Sequence, residues 1–446
     1  MKVGFYEKDI TPPLGVDIPG YFNRRLASEV KTRLYAKAAV VEINGEYAAF
    51  LVTDTLFIPK GLPDYVRESV SKRIPIAPDR IFIGATHSHT SMPVGRWETE
   101  GGDNRELNNH AVMNACYAAA DAVVLAYQRL EEAELFFGKS NAEKVSFIRQ
   151  YLTEDGEIRT NPFYCRDKII KSIGTPDTEL PVAIFKRPDG TPLGSITSLA
   201  LHHDTANFDR TWLSADYSGL VGDALKKEYG SGFVSLFFAG FCGDINHLNY
   251  LPGERLTTPQ DEIGEVVTKA YLDAVSKAEK VEADLLAVNV EKVKVKKREL
   301  PDELRERLLY LIDNPPEEQM GHISQPYSDA MLYSSRKTLL SWYINNEKTE
   351  YETQSMAVRI GDVLISGISG EVFSKFAYDI RNASPTDKNI CCAYSQSDTV
   401  TCYMPPRDMH LPLVYESSIY SARFAPGTGE AETEAVIRMG KKCFEV

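Results

Sequence analysis

Four short apolar runs in this chain each stop at a loop of polar, small or metal-ligating residues. That pattern constrains the fold more than any other feature. Ile81–Ala85 opens onto Thr86-His87-Ser88-His89-Thr90, and Leu193–Leu201 opens onto His202-His203-Asp204-Thr205. The run Ser235–Gly240 leads into Phe241-Cys242-Gly243-Asp244-Ile245-Asn246, and a fourth run ends in Ile368-Ser369-Gly370-Glu371. Apolar segments this short, bounded by Gly or polar loops, read as buried strands. Strands whose ends carry the reactive side chains predict an α/β chain. Its expected form is a large mixed sheet with flanking helices and an active site built from the strand-end loops.

The rest of the pattern agrees. Tyr35–Ile43 and Tyr47–Thr55 flank Asn44-Gly45, a strong hairpin signal, and Pro181–Lys186 pairs with Leu193–Leu201 about Pro188-Asp189-Gly190. Met356–Ile360 and Val363–Ser366 form a third hairpin about Gly361-Asp362. Ala111–Leu130, a segment from Asp216 to Tyr229, and one from Pro259 to about Glu279 read as helices. Val288–Val295 alternates apolar and charged residues, so its lysines mark the solvated face of a strand. No internal repeat or long linker interrupts residues 1–446, which predicts one catalytic domain with a helical insertion at about 301–346. The tail from Cys391 reads as irregular.

Of the residues, 43% are hydrophobic and 25% charged, which is ordinary globular composition. Lys and Arg number 50 against 63 Asp and Glu, a net charge of −13. Such a chain is a poor partner for nucleic acid or an anionic membrane surface. The seven cysteines have no metal-site spacing and read as reduced thiols. The start MKVGFYEKDITPPLG lacks the apolar run of a signal peptide, and no segment is apolar enough to span a bilayer. The expected compartment is the cytoplasm.

The chain has only eight histidines, yet four fall in two strand-end clusters. Residues i and i+2 of extended chain point to one side, so His87 and His89 can address one site. Imidazole is a common metal ligand, although two hydrogen-bonded histidines near a strand end would look the same. His202 and His203, being adjacent, face opposite sides, so one can be a ligand while the other is structural. Glu371 either completes a His-His set with a carboxylate or caps a helix over Val372–Arg381. Tyr403 and Tyr415 are by default core or surface tyrosines.

Taken in order, these segments resemble the neutral/alkaline, non-lysosomal ceramidase family. The resemblance runs through Lys8-Asp9-Ile10-Thr11-Pro12-Pro13, Gly20-Tyr21, Thr86-His87-Ser88-His89, His203-Asp204-Thr205 and Leu213-Ser214-Ala215-Asp216-Tyr217. It continues through Gly240–Asn246, Gly370-Glu371, the spaced Tyr403 and Tyr415, and Pro426-Gly427-Thr428-Gly429-Glu430. The resemblance implies that His87, His203, Glu371 and Tyr403 hold one Zn²⁺, with His89, Arg159 and Tyr415 facing the substrate. It implies hydrolysis of the amide bond of a small N-acyl compound, ceramide or a soluble relative, by metal-activated water. The negative charge and the altered Ser91-Met92-Pro93-Val94 turn favour a soluble amide over membrane ceramide. Two other readings compete. One is a His-x-His metallohydrolase of the amidohydrolase barrel class, and the other a non-catalytic binding protein.

Overall fold

Alternation along each strand gives the sheets two apolar faces, and the chain buries the two faces differently. The computed structural model describes residues 1–95, 104–206 and 209–445. A first sheet pairs β1 (Lys2–Asp9), β2 (Tyr35–Ile43) and β3 (Glu46–Thr53) antiparallel; after helix α1 (Leu62–Ser71), β4 (Ile81–Ala85) joins β3 in parallel. Helix α2 (Arg105–Gln128) then crosses back over β1 and β2.

The second sheet repeats this order. Strands β5 (Glu134–Asn141), β6 (Glu179–Lys186) and β7 (Pro192–Leu199) are antiparallel neighbours; β8 (Val234–Ala239) follows helix α3 (Asp216–Tyr229) and pairs with β7 in parallel. Helix α4 (Gln260–Ser276) covers β5 and β6. In the third sheet β9 (Leu286–Lys296), β10 (Glu350–Ile360) and β11 (Val363–Gly367) are again antiparallel. Between β9 and β10 lies helix α5 (Asp302–Asp313). Helix α6 (Ser374–Ala383) then leads to a parallel β12 (Asn389–Cys392), and α7 (Thr428–Cys443) covers β9 and β10.

Each unit is thus an antiparallel meander, a helix, a parallel strand and a covering helix. No sequence repeat announces this threefold arrangement, because the units share a pattern of burial and turns rather than residues. The inner faces meet in one core that takes Val3, Val41, Phe50 and Phe82 from the first sheet, Phe185, Ile196 and Phe238 from the second, and Met356, Val358, Ile365 and Ile390 from the third. Phe82 and Phe238 pack edge to face at 5.5 Å. Each fully buried large side chain here contributes roughly 1.5–3 kcal/mol. The opposite parity, such as Ala38, Val40, Leu51, Leu364 and Cys391, packs under the covering helices.

The three sheets are open and none of the described strands closes an eight-stranded barrel, which removes the amidohydrolase-barrel alternative. Within the region expected to be a helical insertion, α5 is followed by Asp329–Ser334, Arg336–Leu339 and a π-turn at Leu340–Ile344. These helices share a satellite core with Ile419 and Tyr420, on the loop that carries Tyr415. The tail is more regular than the sequence suggests: β12 ends in it and α7 lies wholly within it. Ala435, Val436 and Met439 of α7 are buried at helical spacing.

Candidate metal centre

The three units turn the same ends of their inner strands toward one place. The loop after β4 delivers His87 and His89, that after β7 delivers His202, and that after β11 delivers Glu371. A bridge from Gly84 to Ser395, with Gln396 N donating to Ile83 O at 2.8 Å, ties the third unit to the first. Glu371–Val372 pairs in parallel with Tyr403–Met404, which sets Glu371 directly beside Tyr403. Gly243 permits a close approach: a Cβ there would meet the Glu371 carbonyl oxygen at 2.6 Å. His87 itself has φ 68°, a strained value for a residue with a Cβ.

Nε2 of His87 lies 3.1 Å from Nε2 of His202 and 3.2 Å from Nε2 of His89. Glu371 Oε2 is 3.6 Å from the first and 3.8 Å from the second. Nδ1 of His87 contacts Leu56 O at 2.7 Å, and Nδ1 of His202 contacts Cys242 O at 3.1 Å. A carbonyl only accepts, so each ring carries its proton on Nδ1 and turns the Nε2 lone pair inward. Burial, reinforced by the neighbouring imidazoles, holds both rings well below the usual histidine pKa. Two neutral rings then point lone pairs at each other across 3.1 Å, an arrangement that a cation between them relieves. Ligating histidines anchored by a backbone carbonyl are the usual second layer of a metal site. His87, His89 and His202 can therefore hold a metal ion.

His89 differs in one respect. Its Nδ1 is packed on the Gly20 backbone without a well-formed hydrogen bond, and its ring lies 5.3 Å from that of Tyr21. Burial, then the charge it would share with His202, lowers its pKa as well.

A second layer of charge closes the other side. Arg149 forms an ion pair with Glu416 at 3.0 Å and donates to the Tyr403 hydroxyl at 3.2 Å. Burial disfavours the Arg149 cation, but Tyr403 and Glu416 more than offset it. Thr160 donates to Glu416 at 2.6 Å. Burial raises Glu371 to about 7, opposed by the hydrogen bond from Tyr403 and by Arg149. Tyr394 stacks on His87 at 3.9 Å and donates to Glu371 at 3.3 Å. Tyr415 packs 5.8 Å from Tyr403, and burial raises it to about 12.

Five of the residues named from the sequence, His87, His89, Glu371, Tyr403 and Tyr415, come together here, and two do not. His203 faces the opposite side of its strand end from His202 and stacks on Tyr217 at 4.1 Å; burial pushes it down to about 3. His202 replaces it. Arg159 points away as well, paired with Asp155 at 2.8 Å, because its neighbour Thr160 takes the inward position. Arg149 stands where an inward-facing arginine was expected. Reading outward from Thr160 to its strand partner Gln150 would have brought Arg149 into view. Nothing in the local sequence marked Tyr394, whereas Glu416 lies in the loop that carries Tyr415.

No protein-family profile matches the chain. Among solved structures, the neutral ceramidase from Pseudomonas aeruginosa is similar with a TM-score of 0.74 at 18% identity, over 100% of this chain and 74% of that one. A ceramidase complexed with C2 gives a TM-score of 0.73 at 17% identity, over 100% and 75%. At such identities the likeness is one of fold.

Proposed function

We propose that this chain is a zinc-dependent hydrolase that cleaves the amide bond of an N-acyl compound. One observation carries the reading: two carbonyl-anchored imidazoles turn their lone pairs on each other beside a buried carboxylate. Zinc bonds of 2.0–2.1 Å in a tetrahedron put neighbouring donors roughly 3.3 Å apart, close to the spacings here. The fold shared with two ceramidases supports the choice of reaction.

In this reading His87, His202, Glu371 and Tyr403 hold the ion. When bound, zinc supplies a Lewis acid and a water acidic enough to attack at neutral pH. His89, the remaining imidazole of the cluster, takes the proton from the attacking water and passes it to the leaving amine. Arg149, held by Glu416, and Tyr415 donate hydrogen bonds to the oxyanion that develops on the amide carbonyl. Glu416 balances the arginine so that the site keeps a fixed donor without a stray charge.

The test is elemental analysis joined to an amide-hydrolysis assay on protein purified without chelator. Near-stoichiometric zinc and turnover abolished by a chelator and restored by zinc are expected. Protein that binds no divalent metal, or turns over equally well after chelation, overturns the proposal.

A further inference from the structure

The chain as a whole is acidic, yet one cavity outside the metal centre has more bases than acids in its wall. It encloses about 480 Å³ where the ends of β9 and β10 meet the start of α5. Lys296, Lys297, Arg298 and Arg305 line it, against Glu299 and Glu350. Four cations against two carboxylates leave a local excess of two positive charges.

The acids do not tie up the bases. Glu350 stands across the ladder from Lys296, yet among the described residues none of the four cations forms an ion pair. Two of the four are held by backbone carbonyls. Lys297 Nζ donates to Asn346 O at 2.5 Å and Trp342 O at 3.3 Å, and Arg298 Nη1 donates to Ser417 O at 2.6 Å. The side chains of Lys296 and Arg305 have no partner among the described residues, so an ammonium and a whole guanidinium fork are open to a ligand. Part of the remaining wall is apolar. Leu300 and Tyr343 are both buried, and Tyr343 commits its hydroxyl to Ile419 O at 2.7 Å.

We propose that this cavity binds a soluble organic phosphomonoester. Such a group carries roughly −1.5 to −2 charge at neutral pH, which matches the local excess. An arginine fork beside a lysine point charge is the usual chemistry of phosphate recognition. The volume falls in the range of small-molecule sites and exceeds what a bare phosphate fills, so Leu300 and Tyr343 take the organic body. The net charge of −13 opposes an anionic bilayer as the source of the phosphate. The cavity shares no lining residue with the metal centre, and the assignment does not depend on the amide-hydrolase reading.

The experiment is calorimetric titration of the full chain with phenyl phosphate, inorganic phosphate and phenol, beside co-sedimentation with phosphatidic acid/phosphatidylcholine vesicles. One phenyl phosphate should bind per chain, more tightly than inorganic phosphate, and phenol should not bind. Affinity should fall as salt rises, and Arg305→Gln and Lys296→Gln should each weaken it by about tenfold. Both side chains are exposed, so the variants should keep the wild-type Tm. Phenyl phosphate that fails to bind the wild-type chain overturns the proposal. Binding undiminished in the double variant places the phosphate elsewhere and overturns it too. Equal affinity for inorganic phosphate removes the organic ligand. Capture by the vesicles that depends on Arg305 and Lys296, without binding of phenyl phosphate, replaces the soluble ligand with a lipid headgroup.

Discussion

At the scale of the residue, the parity of a single position decides which histidine can ligate. His202→Ala should lose most of the bound metal, while His203→Ala should keep it and show a lower Tm from the cavity beside Tyr217. Elemental analysis with a thermal melt checks both; metal loss in His203→Ala alone would restore the other assignment. His89→Ala should retain metal and lower turnover by roughly 10²–10⁴-fold, as for loss of a proton carrier. Loss of the ion in that variant would put His89 among the ligands. The sequence marked the neighbourhood of every one of these residues and missed on two side-chain directions. Adjacent residues at a strand end face opposite ways, and only the packing of Tyr217 against His203, or of Asp155 against Arg159, says which way each one turns.

At the scale of the element, α7 carries a buried acid against the third sheet. Glu432 is fully buried, accepts a hydrogen bond from Ser355 on β10, and is pushed by burial up to about 8. The folded state therefore holds this proton where the unfolded chain, with a pKa near 4.5, releases it. Its contribution is full below about 4.5, falls as pH rises toward 8, and levels beyond that. Glu432→Gln should match wild type near pH 5 and become progressively more stable than it up to pH 8, as read from urea midpoints. A constant difference across that range would show that Glu432 titrates normally in the fold. The hairpins about Asn44-Gly45 and Gly361-Asp362 and the strand Ile81–Ala85 were legible because turn chemistry and apolar runs are local. Helix α7 was not, since its buried face interleaves Gly429, Glu432, Thr433 and Gly440 with Ala435, Val436 and Met439, which dilutes the apolar stripe.

At the scale of the whole molecule, the net charge of −13 and the metal centre bear on different measurements. No helix among the described residues is long and apolar enough to cross a membrane. A soluble N-acyl amide should exceed ceramide in mixed micelles in kcat/KM, because long-range repulsion opposes docking on an anionic interface. Ceramide ahead by about tenfold or more would mean that a local patch overrides the total charge. Zinc should raise the Tm, and chelation lower it, because the folded chain alone presents the converging imidazoles; an unchanged Tm would separate the cluster from metal binding. By itself the sequence determined the α/β character, the strand-end loops and the chemical types gathered in them, because burial periodicity and residue chemistry are properties of short segments. Only the tertiary structure decided that three like units share one inner core, and that His202 rather than His203 and Arg149 rather than Arg159 turn inward. Those outcomes depend on contacts between segments far apart in the chain, and a strand's pattern cannot tell which of its two faces the rest of the molecule will cover.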